Sequence, residues 1–276
     1  MDSSSEPTEE TFVGVLSDAG LQRGGFLAIA MAAQVGVGVS MGNGWAHSIA
    51  TDNPVDVARQ VELAFRPRWI VWGSETTRHL VEGGLRVAKC WHIAAVQRLL
   101  VGGWRMDDGR VWAQLHELSV DELPVAAAID LFTAPDDSEP DEALRSDGYL
   151  KPEWMTPDFE WTGDRLARWA QLAAEAAVLQ GMLLATLGDR PKARETARSE
   201  SAAELLCAEL SADGLPMDRT AAEAIVASFV GARPRTEQEA VEQRRARDAA
   251  VLCHSSNPGC DLRNPAQVKS LLRGIG

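Results

Sequence analysis

The sequence has few of the features that mark secreted or disulfide-bonded proteins. It contains four cysteines without a Cys-x-x-Cys pair, and it begins with the acidic, polar segment MDSSSEPTEE. Disulfide frameworks and zinc ribbons need closely spaced cysteines, and secretory leaders begin with basic residues. We therefore expect a protein of the reducing cytoplasm.

Long apolar runs are also scarce. One long uncharged run, residues 24–45, contains Gln34, Asn43 and several glycines but few large apolar side chains. A membrane-spanning helix needs about 20 predominantly apolar residues. Two short buried strands separated by a turn fit this composition better, so no membrane segment is expected.

Positive charge is in deficit over most of the chain. There are 27 Lys and Arg against 40 Asp and Glu, which gives a net charge of −13. Residues 231–276 are the exception, because eight basic residues stand there against five acidic ones, a local charge of +3. Phosphate contacts require cationic side chains, so a surface for nucleic acid is expected only at this end.

The length and the hydrophobic content of the chain suffice for one or two globular domains. The chain has 276 residues, of which 45% are hydrophobic, and a domain usually takes about 100–200 residues. In the first part, β-rich runs and helical patterns alternate, which favours an α/β domain with a mixed sheet whose three leading strands could form a meander. Strands are expected at residues 11–16, 26–33, 35–41 and 69–72, and helices at residues 54–65, 75–82 and 93–100.

Residues 133–160 differ from their surroundings. They contain four prolines and nine acidic residues against two basic ones. Such a composition is typical of segments that bury too little apolar surface to become ordered. We expect an acidic, mobile linker here, followed by a helical segment at residues 161–276.

Two stretches of the helical segment resemble the bacterial DNA polymerase I family, the family A polymerases. Residues 200–218 read ESAAELLCAELSADGLPMD and are similar to the family's thumb-entry pattern E-x-x-L-x-x-x-L-A-x-M-E-x-x-G-V-x-x-D. Residues 261–271 read DLRNPAQVKSL and are similar to the thumb-tip pattern F-N-x-x-S-P-x-Q-L-x-x-x-L, in which Pro265 and Gln267 match. The two stretches occur in the family's order and spacing.

Residues 11–130 resemble, more loosely, the 3′–5′ exonuclease domain of the same polymerases, which has an RNase H-like fold. The stretch KCWHIAAVQRLL is similar to that domain's F-D-T-M-L-x-x-Y-L-L helix, with His92 in place of the aspartate. The family binds two metal ions through D-x-E on the first strand, N-x-x-x-D before the middle helix and a later Y-x-x-x-D. Here the run TFVGVLSD lacks D-x-E, N-x-x-x-D is absent from the domain, and Tyr149-x-x-x-Glu153 falls in the expected linker. Without these carboxylates we expect neither metal binding nor exonuclease activity.

The resemblance implies an α/β protein with a degenerate, RNase H-like exonuclease domain at residues 11–132, the linker at 133–160, and a helical segment at 161–276 that leads into a polymerase thumb. In this family, magnesium-dependent nucleotidyl transfer takes place in the palm and fingers, which follow the thumb. No cofactor and no catalytic residue are therefore expected in this chain, which would be inactive alone. It would provide a scaffold and a grip on duplex primer–template DNA in the bacterial cytoplasm, at the nucleoid, with the remaining polymerase part as a second partner.

Seven residues near the thumb tip are the candidate DNA contacts. A helix is expected to begin at Asn264-Pro265, where exposed amide groups would attract a phosphate, and binding would be weak and without sequence preference. The candidates are Arg263, Asn264, Gln267 and Lys269, with Arg244, Arg245 and Arg247 on the preceding helix as additional cations.

Two alternative functions stay open. A stand-alone interaction module derived from a polymerase would use its acidic first domain and linker to bind a basic partner. An active 3′–5′ exonuclease is the third hypothesis, and it requires carboxylates that the patterns do not supply. Cys253, His254 and Cys260 offer three zinc ligands where a structural site takes four, so no zinc site is expected.

Overall fold

A five-stranded mixed sheet organises the first part of the chain. The computed structural model describes residues 9–125, 141–156, 159–231, 233–255 and 257–275. The strands are β1 (Phe26–Ala32), β2 (Gly36–Ser40), β3 (Ala46–Ala50), β4 (Arg68–Val71) and β5 (Cys90–His92). They lie in the order β3-β2-β1-β4-β5. The pairs β1–β2 and β2–β3 are antiparallel, whereas β4 runs parallel to β1 and β5 runs parallel to β4. The predicted α/β class and mixed sheet are confirmed.

The predicted first strand is a helix instead. Residues 11–16 lie within α1 (Glu9–Asp18). The β-branched and aromatic residues of this run suggested a strand, but Phe12 and Leu16 are four residues apart and share one helical face, which is buried in the core. The meander is formed by β1, β2 and β3. The strand β3 was not predicted, because AHSIA is a short and only partly buried edge strand.

The helices between the strands begin and end close to their predicted bounds. Residues 54–65 form a helix as expected. The next two helices along the chain end before the glycines Gly83 and Gly102. The remaining helices of the described chain are α2 (Pro54–Phe65), α3 (Ser74–Glu82), α4 (Ile93–Val101), α5 (Asp108–Leu115), α6 (Gly163–Thr186), α7 (Ala193–Asp213), α8 (Arg219–Val230), α9 (Glu237–Leu252) and α10 (Pro265–Ile275). No helix in this part of the chain is both long and apolar enough to cross a bilayer.

Both faces of the sheet are covered by apolar side chains. On β1, Ala28 and Ala30 point into the core formed with α6, while Leu27 and Ile29 point into the opposite core, formed with α1, α2 and α3. This alternation follows from the two-residue period of a strand. A strand buried on both faces is apolar throughout, which explains why the run FLAIAMA was recognisable in the sequence.

The helix α6 crosses the sheet at very short range. A Cβ atom added to Gly38 of β2 would overlap the backbone carbonyl group of Leu166 at the start of α6. Further along the helix, alanines face the alanines of β1 within the same core. Only small residues permit this approach of a helix backbone to a sheet.

The segment predicted to be a mobile linker is in part packed against the core. Residues 126–140, 157 and 158 lie outside the described residues. Within residues 141–156, Leu144 and Leu150 form an antiparallel bridge, and Trp154 is 2% exposed in a 3-10 helix, Pro152–Met155. Trp112 Nε1 also donates to the carbonyl oxygen of Gly148 at 3.0 Å. The few apolar side chains between the acidic residues therefore order this stretch, which the average composition did not indicate.

The chain divides at Gly214 rather than at residues 133–160. The first compact unit ends with Gly214 and the second begins at Leu215. The helices α6 and α7, expected in the second part, belong to the first unit because they pack on the sheet; Leu205 and Ala208 of α7 are buried in one of its cores. The second unit comprises α8, α9 and α10, and neither α8 nor α9 has a buried residue.

The close approach of α6 gives a stability prediction. Replacement of Gly38 by Ala should destabilise the first unit by about 3 kcal/mol or more, since backbone atoms rather than a flexible side chain oppose the new methyl group. Chemical unfolding followed by circular dichroism measures this effect. The control is Gly14→Ala in α1, where a Cβ meets nothing within 4 Å and the change should stabilise the helix by about 0.5–1 kcal/mol. Equal stability of both variants would contradict the described packing.

Candidate functional site

A cavity of about 210 Å³ lies at the carboxyl-terminal ends of β1 and β4. Its wall includes Ala30 and Met31 of β1, and Trp72, which directly follows β4. In open α/β sheets, ligands bind at this edge because the loops that follow parallel strands meet there. The cavity is therefore the candidate ligand-binding site of this unit.

Polar side chains reach the cavity from two helices. Glu75, Thr76 and His79 of α3 line it, and Glu75 and His79 are one helical turn apart on the same face. Asp108 lines it from the first turn of α5. The neighbouring Asp107 caps α5 by accepting a hydrogen bond from the amide of Arg110 at 3.0 Å, which leaves the Asp108 carboxyl free of that task.

Four tryptophans form the apolar wall of the cavity. The ring centroids of Trp72 and Trp169 are 5.1 Å apart, and those of Trp154 and Trp169 are 6.0 Å apart. Trp161 meets Trp154 edge to face at 5.9 Å. Trp72 Nε1 also donates to the carbonyl oxygen of Trp169 at 3.4 Å. Mutual packing holds these rings in place, so the wall is rigid.

The carboxyl group of Asp108 titrates near neutral pH. Burial, together with the negative charges of Asp107 and Glu75, raises the pKa of Asp108 to about 7. Two acidic side chains that share one cavity disfavour double ionisation. Asp108 can therefore hold a proton at neutral pH, which is the property of a general acid or of a hydrogen-bond donor to a bound group.

A second polar network lies beside β5. His92 Nδ1 accepts a hydrogen bond from the amide of Ala95 at 3.2 Å and thereby caps α4. In the neutral ring the proton is then on Nε2, which lies 3.2 Å from Ser74 Oγ, and that hydroxyl lies 3.4 Å from Glu204 Oε2. Burial lowers the pKa of His92 to about 4, so the ring is neutral at physiological pH.

This network does not form a serine nucleophile. A catalytic serine needs a histidine nitrogen that accepts its proton. Here the nitrogen that faces Ser74 is the donor, and the serine hydroxyl donates onward to Glu204, which also pairs with Arg98. The network instead links α3, β5, α4 and α7 to one another.

The metal-ligand patterns considered in the sequence do not meet in space. The Tyr149 hydroxyl donates to the carbonyl oxygen of Ser119 at 2.9 Å, and neither Tyr149 nor Glu153 lines the cavity. Within the described ranges, no group of three His, Cys, Asp or Glu side chains could hold a metal ion. Glu75 and Asp108 were not predicted as site residues because no sequence motif connects them. The pair Asp107-Asp108 ahead of a helical pattern is the one feature of the sequence that indicates this position.

All seven candidate DNA contacts lie in the second unit, but three of them are engaged within it. Arg263 Nη2 lies 2.8 and 3.0 Å from the two carboxylate oxygens of Asp248, and its Nη1 lies 3.3 Å from Asp261. The hydrogen bond to Asp248 is the main reason that the pKa of Arg263 is raised. Gln267 Oε1 accepts a hydrogen bond from the amide of Asp261 at 2.8 Å. These side chains hold the loop that precedes α10.

The amide groups at the start of α10, which were expected to bind a phosphate, already form hydrogen bonds within the protein. Asn264 Oδ1 accepts from the amides of Ala266 at 3.0 Å and Gln267 at 3.3 Å, and the amide of Val268 donates to the carbonyl oxygen of Asn264 at 3.0 Å. Pro265 has no amide hydrogen. The prediction of exposed amide donors is wrong, because Asn264 acts as an N-cap.

The other four candidates are exposed cations. Arg244, Arg245 and Arg247 lie on α9 and Lys269 lies on α10. Arg247 Nε is 3.4 Å from the carbonyl oxygen of Gln243. Arg244, Arg245 and Lys269 form no hydrogen bond or ion pair with any residue that the structure describes. They are the cations best able to contact phosphate.

Comparison of the chain with models of protein families, with curated proteins and with solved structures finds no match.

The raised pKa of Asp108 predicts that the stability of the folded protein depends on pH. The raised pKa means that the folded state keeps a proton that the unfolded state loses above about pH 4. The native protein therefore loses stability as the pH rises from 4 to 7, and Asp108→Asn should remove this loss. We expect the variant to gain on the order of 2 kcal/mol over the native protein at pH 8 and little at pH 4.

Thermal unfolding at several pH values measures this difference. The control is Asp218→Asn, which replaces the N-cap carboxylate of α8, is not among the charges that raise the pKa of Asp108, and should not reproduce the pH-dependent gain. A constant difference between Asp108→Asn and the native protein from pH 4 to 8 would show that Asp108 is ionised throughout.

Proposed function

We propose that this chain is the N-terminal portion of a family A DNA polymerase, with an exonuclease-like, RNase H-like domain that has lost its metal ligands. The sheet supports this proposal. A three-strand antiparallel meander, followed by two strands parallel to the first and reached through helices, is the arrangement expected of an RNase H-like fold. The observed order β3-β2-β1-β4-β5 agrees with it.

The observation that carries the proposal is the strand order β3-β2-β1-β4-β5 with β4 parallel to β1 and β5 parallel to β4, on which the positions of the family's metal ligands can be assigned. The family places D-x-E on its first strand, N-x-x-x-D before the middle helix and Y-x-x-x-D on a later helix. Because residues 11–16 form the helix α1, the first strand is β1, and the corresponding positions are residues 30–32 on β1, residues 72–76 at the start of α3 and residues 169–173 on α6 rather than residues 11–18 and 149–153. Ala30, Trp72, Thr76 and Trp169, at least one from each stretch, line the same cavity.

The residues at these positions do not fit a metal pair. Ala30 and Ala32 stand for the first-strand carboxylates, Thr76 for the second aspartate and Ala173 for the third. Divalent magnesium needs oxygen ligands, with carboxylates to balance its charge. We therefore derive no hydrolytic step at this cavity and assign the domain a scaffolding role.

Capping by His92 supports the same proposal. The family's F-D-T-M-L-x-x-Y-L-L helix has an aspartate where this chain has His92. An aspartate is a preferred helix N-cap, and the Nδ1 of His92 performs that task for α4. The substitution therefore preserves the start of the helix.

The second unit would grip duplex DNA through its backbone. Arg244, Arg245 and Lys269 supply free cations on two successive helices. Arg263 and Gln267 would act indirectly, by holding the loop ahead of α10. Phosphate contacts of this kind position a protein on DNA without reading its sequence.

One observation favours the interaction module as the second candidate function. On α8, Ile225 is 61% exposed, Val226 56% and Phe229 83%. Large apolar side chains next to one another on an exposed helix are typical of a surface that a partner covers. The remaining polymerase part would be that partner on the first proposal, and a separate protein with an apolar face on the second.

Restoring the carboxylates tests the exonuclease ancestry. The variant Ala30→Asp, Ala32→Glu, Thr76→Asp, Ala173→Asp should bind Mn²⁺, because it places carboxylates at the four positions proposed to correspond to the family's metal ligands, two of which line the cavity. A Mn²⁺ concentration of about 100 times the dissociation constant should raise the free energy of unfolding of this variant by about 2.7 kcal/mol. Thermal unfolding with and without Mn²⁺ measures this.

The matched control carries the amides Asn, Gln, Asn and Asn at the same four positions, with the same size and no charge. If the quadruple variant does not fold, Ala30→Asp with Thr76→Asp replaces it. No Mn²⁺-dependent stabilisation of a folded carboxylate variant would exclude the proposed alignment.

Charge reversal tests the grip on DNA. Replacement of Arg244, Arg245 and Lys269 by Glu should weaken binding to a primer–template duplex, for which we expect a dissociation constant of about 10⁻⁴–10⁻⁶ M in the native chain. The slope of log affinity against log salt should fall by about 0.9 for each phosphate that the variant no longer neutralises. Fluorescence anisotropy over a salt series measures both quantities.

The control reverses three exposed arginines of the first unit, Arg66, Arg78 and Arg105, and changes the net charge by the same amount. Equal weakening in both variants would mean that only net charge matters. In that case the second unit has no DNA-binding surface of its own.

A further inference from the structure

A cleft of about 280 Å³ lies at the amino-terminal ends of the parallel strands, at the opposite end of the strands from the cavity described above. Phe26, the first residue of β1, and Trp91 of β5 line it together with Ala174, Ala177 and Gly181 of α6. Arg194 and Arg198 of α7 complete the wall. The cleft thus combines an apolar slot with two guanidinium groups.

The arginines of this cleft have no anionic partner among the residues that the structure describes. Arg194 and Arg198 are one helical turn apart on α7 and form no hydrogen bond or ion pair within the described ranges. Arg68, whose guanidinium lies 5.8 Å from the ring centre of Phe26, is close enough to Arg198 for repulsion. Burial and then the charge of Arg198 lower the pKa of Arg68.

Cations are concentrated at the amino-terminal end of α7. The amino-terminal end of a helix carries partial positive charge, so cations there are destabilising. Lys192 precedes α7, Arg194 and Arg198 lie in its first two turns, and no side chain caps this end. In a chain with a net charge of −13, Lys192, Arg194 and Arg198 form a local excess of cations, offset by Glu195 of the first turn, and a bound anion would complement that excess.

The slot beside the arginines is kept open by glycine. Gly181 lies inside the 24-residue helix α6, where a glycine costs about 1 kcal/mol relative to alanine. A Cβ atom added there would meet nothing within 4 Å, so packing against the protein does not require the glycine. Phe26 is 40% exposed beside this slot and offers an aromatic surface.

We infer that this cleft binds a nucleotide, with the phosphate on Arg194 and Arg198 and the base in the slot formed by Phe26, Trp91 and Gly181. Arginine pairs hold phosphate through several charge-assisted hydrogen bonds. An aromatic side chain and a floor of small residues accept a flat base. The inference does not depend on the proposed polymerase ancestry: of these residues only Trp91 belongs to a stretch that supports it, and the role of Trp91 here rests on its place in the wall of the cleft.

Isothermal titration calorimetry of the full chain with adenosine 5′-monophosphate, adenosine and inorganic phosphate tests the inference. The monophosphate should bind at least tenfold more tightly than either fragment, since it uses both halves of the cleft. Equal binding of adenosine would overturn the role of the arginines, and equal binding of inorganic phosphate would overturn the role of the slot. No binding of the monophosphate at millimolar concentration would overturn the site.

Two variants separate the halves of the cleft. Arg194→Gln with Arg198→Gln should weaken binding of the monophosphate at least tenfold, whereas Arg78→Gln with Arg219→Gln, which removes the same charge elsewhere, should leave it unchanged. Gly181→Leu fills the slot. This variant should bind the monophosphate at least tenfold more weakly, whereas its binding of inorganic phosphate should not change. An equal effect of the two arginine pairs, or no effect of Gly181→Leu in a folded protein, would contradict the inference.

A free nucleotide and the 5′ end of a DNA strand present the same chemistry to this cleft. A short 5′-phosphorylated oligonucleotide that displaces the monophosphate would identify a strand end as the ligand. An oligonucleotide that fails to displace it would leave the free nucleotide as the ligand. Both outcomes support the site and differ only in the source of the phosphate.

Discussion

The backbone contact between α6 and the sheet is the constraint on which the rest of the first unit depends. Because Gly38 lets the start of α6 touch β2, the helix lies flat across the meander, and its alanines meet those of β1. This position brings Trp169 to one end of the strands and Gly181 to the other. A single packing arrangement therefore determines the walls of both the cavity and the cleft.

On the proposed ancestry, the same contact explains how the domain would survive without its metal ions. Carboxylates that face one another at the end of a sheet repel unless cations neutralise them. Alanine at positions 30, 32 and 173 removes that repulsion and allows apolar packing in its place, and the tryptophan cluster fills the remaining volume. The acids that remain in the cavity, Glu75 and Asp108, approach it from helices rather than from the sheet.

The sequence allowed the buried parts of the fold to be predicted better than the edges or the site. Strands β1, β2 and β4 are continuous apolar runs, and α2 to α4 end at clear stop signals, so their periodicity sufficed. The helix α1 was mistaken for a strand because β-branched residues outweighed the four-residue spacing of Phe12 and Leu16. The candidate cavity could not be predicted, since Glu75, Asp108 and Trp169 are far apart in the chain and converge only through the packing of α3, α5 and α6. In residues 261–271, Asn264 and Arg263 were predicted to contact a ligand, but both side chains form hydrogen bonds within the folded unit instead.

That internal use of Asn264, Arg263 and Gln267 has a thermodynamic consequence for the second unit. Side chains that would otherwise lose rotational freedom on binding are already immobilised by Asp248, by the amide of Asp261 and by the first turn of α10. The entropy of ordering residues 261–267 is thus lost when the unit folds rather than when it meets a ligand. Association at this end of the chain would then resemble rigid docking, with a small change in heat capacity and a rate set mainly by electrostatic encounter.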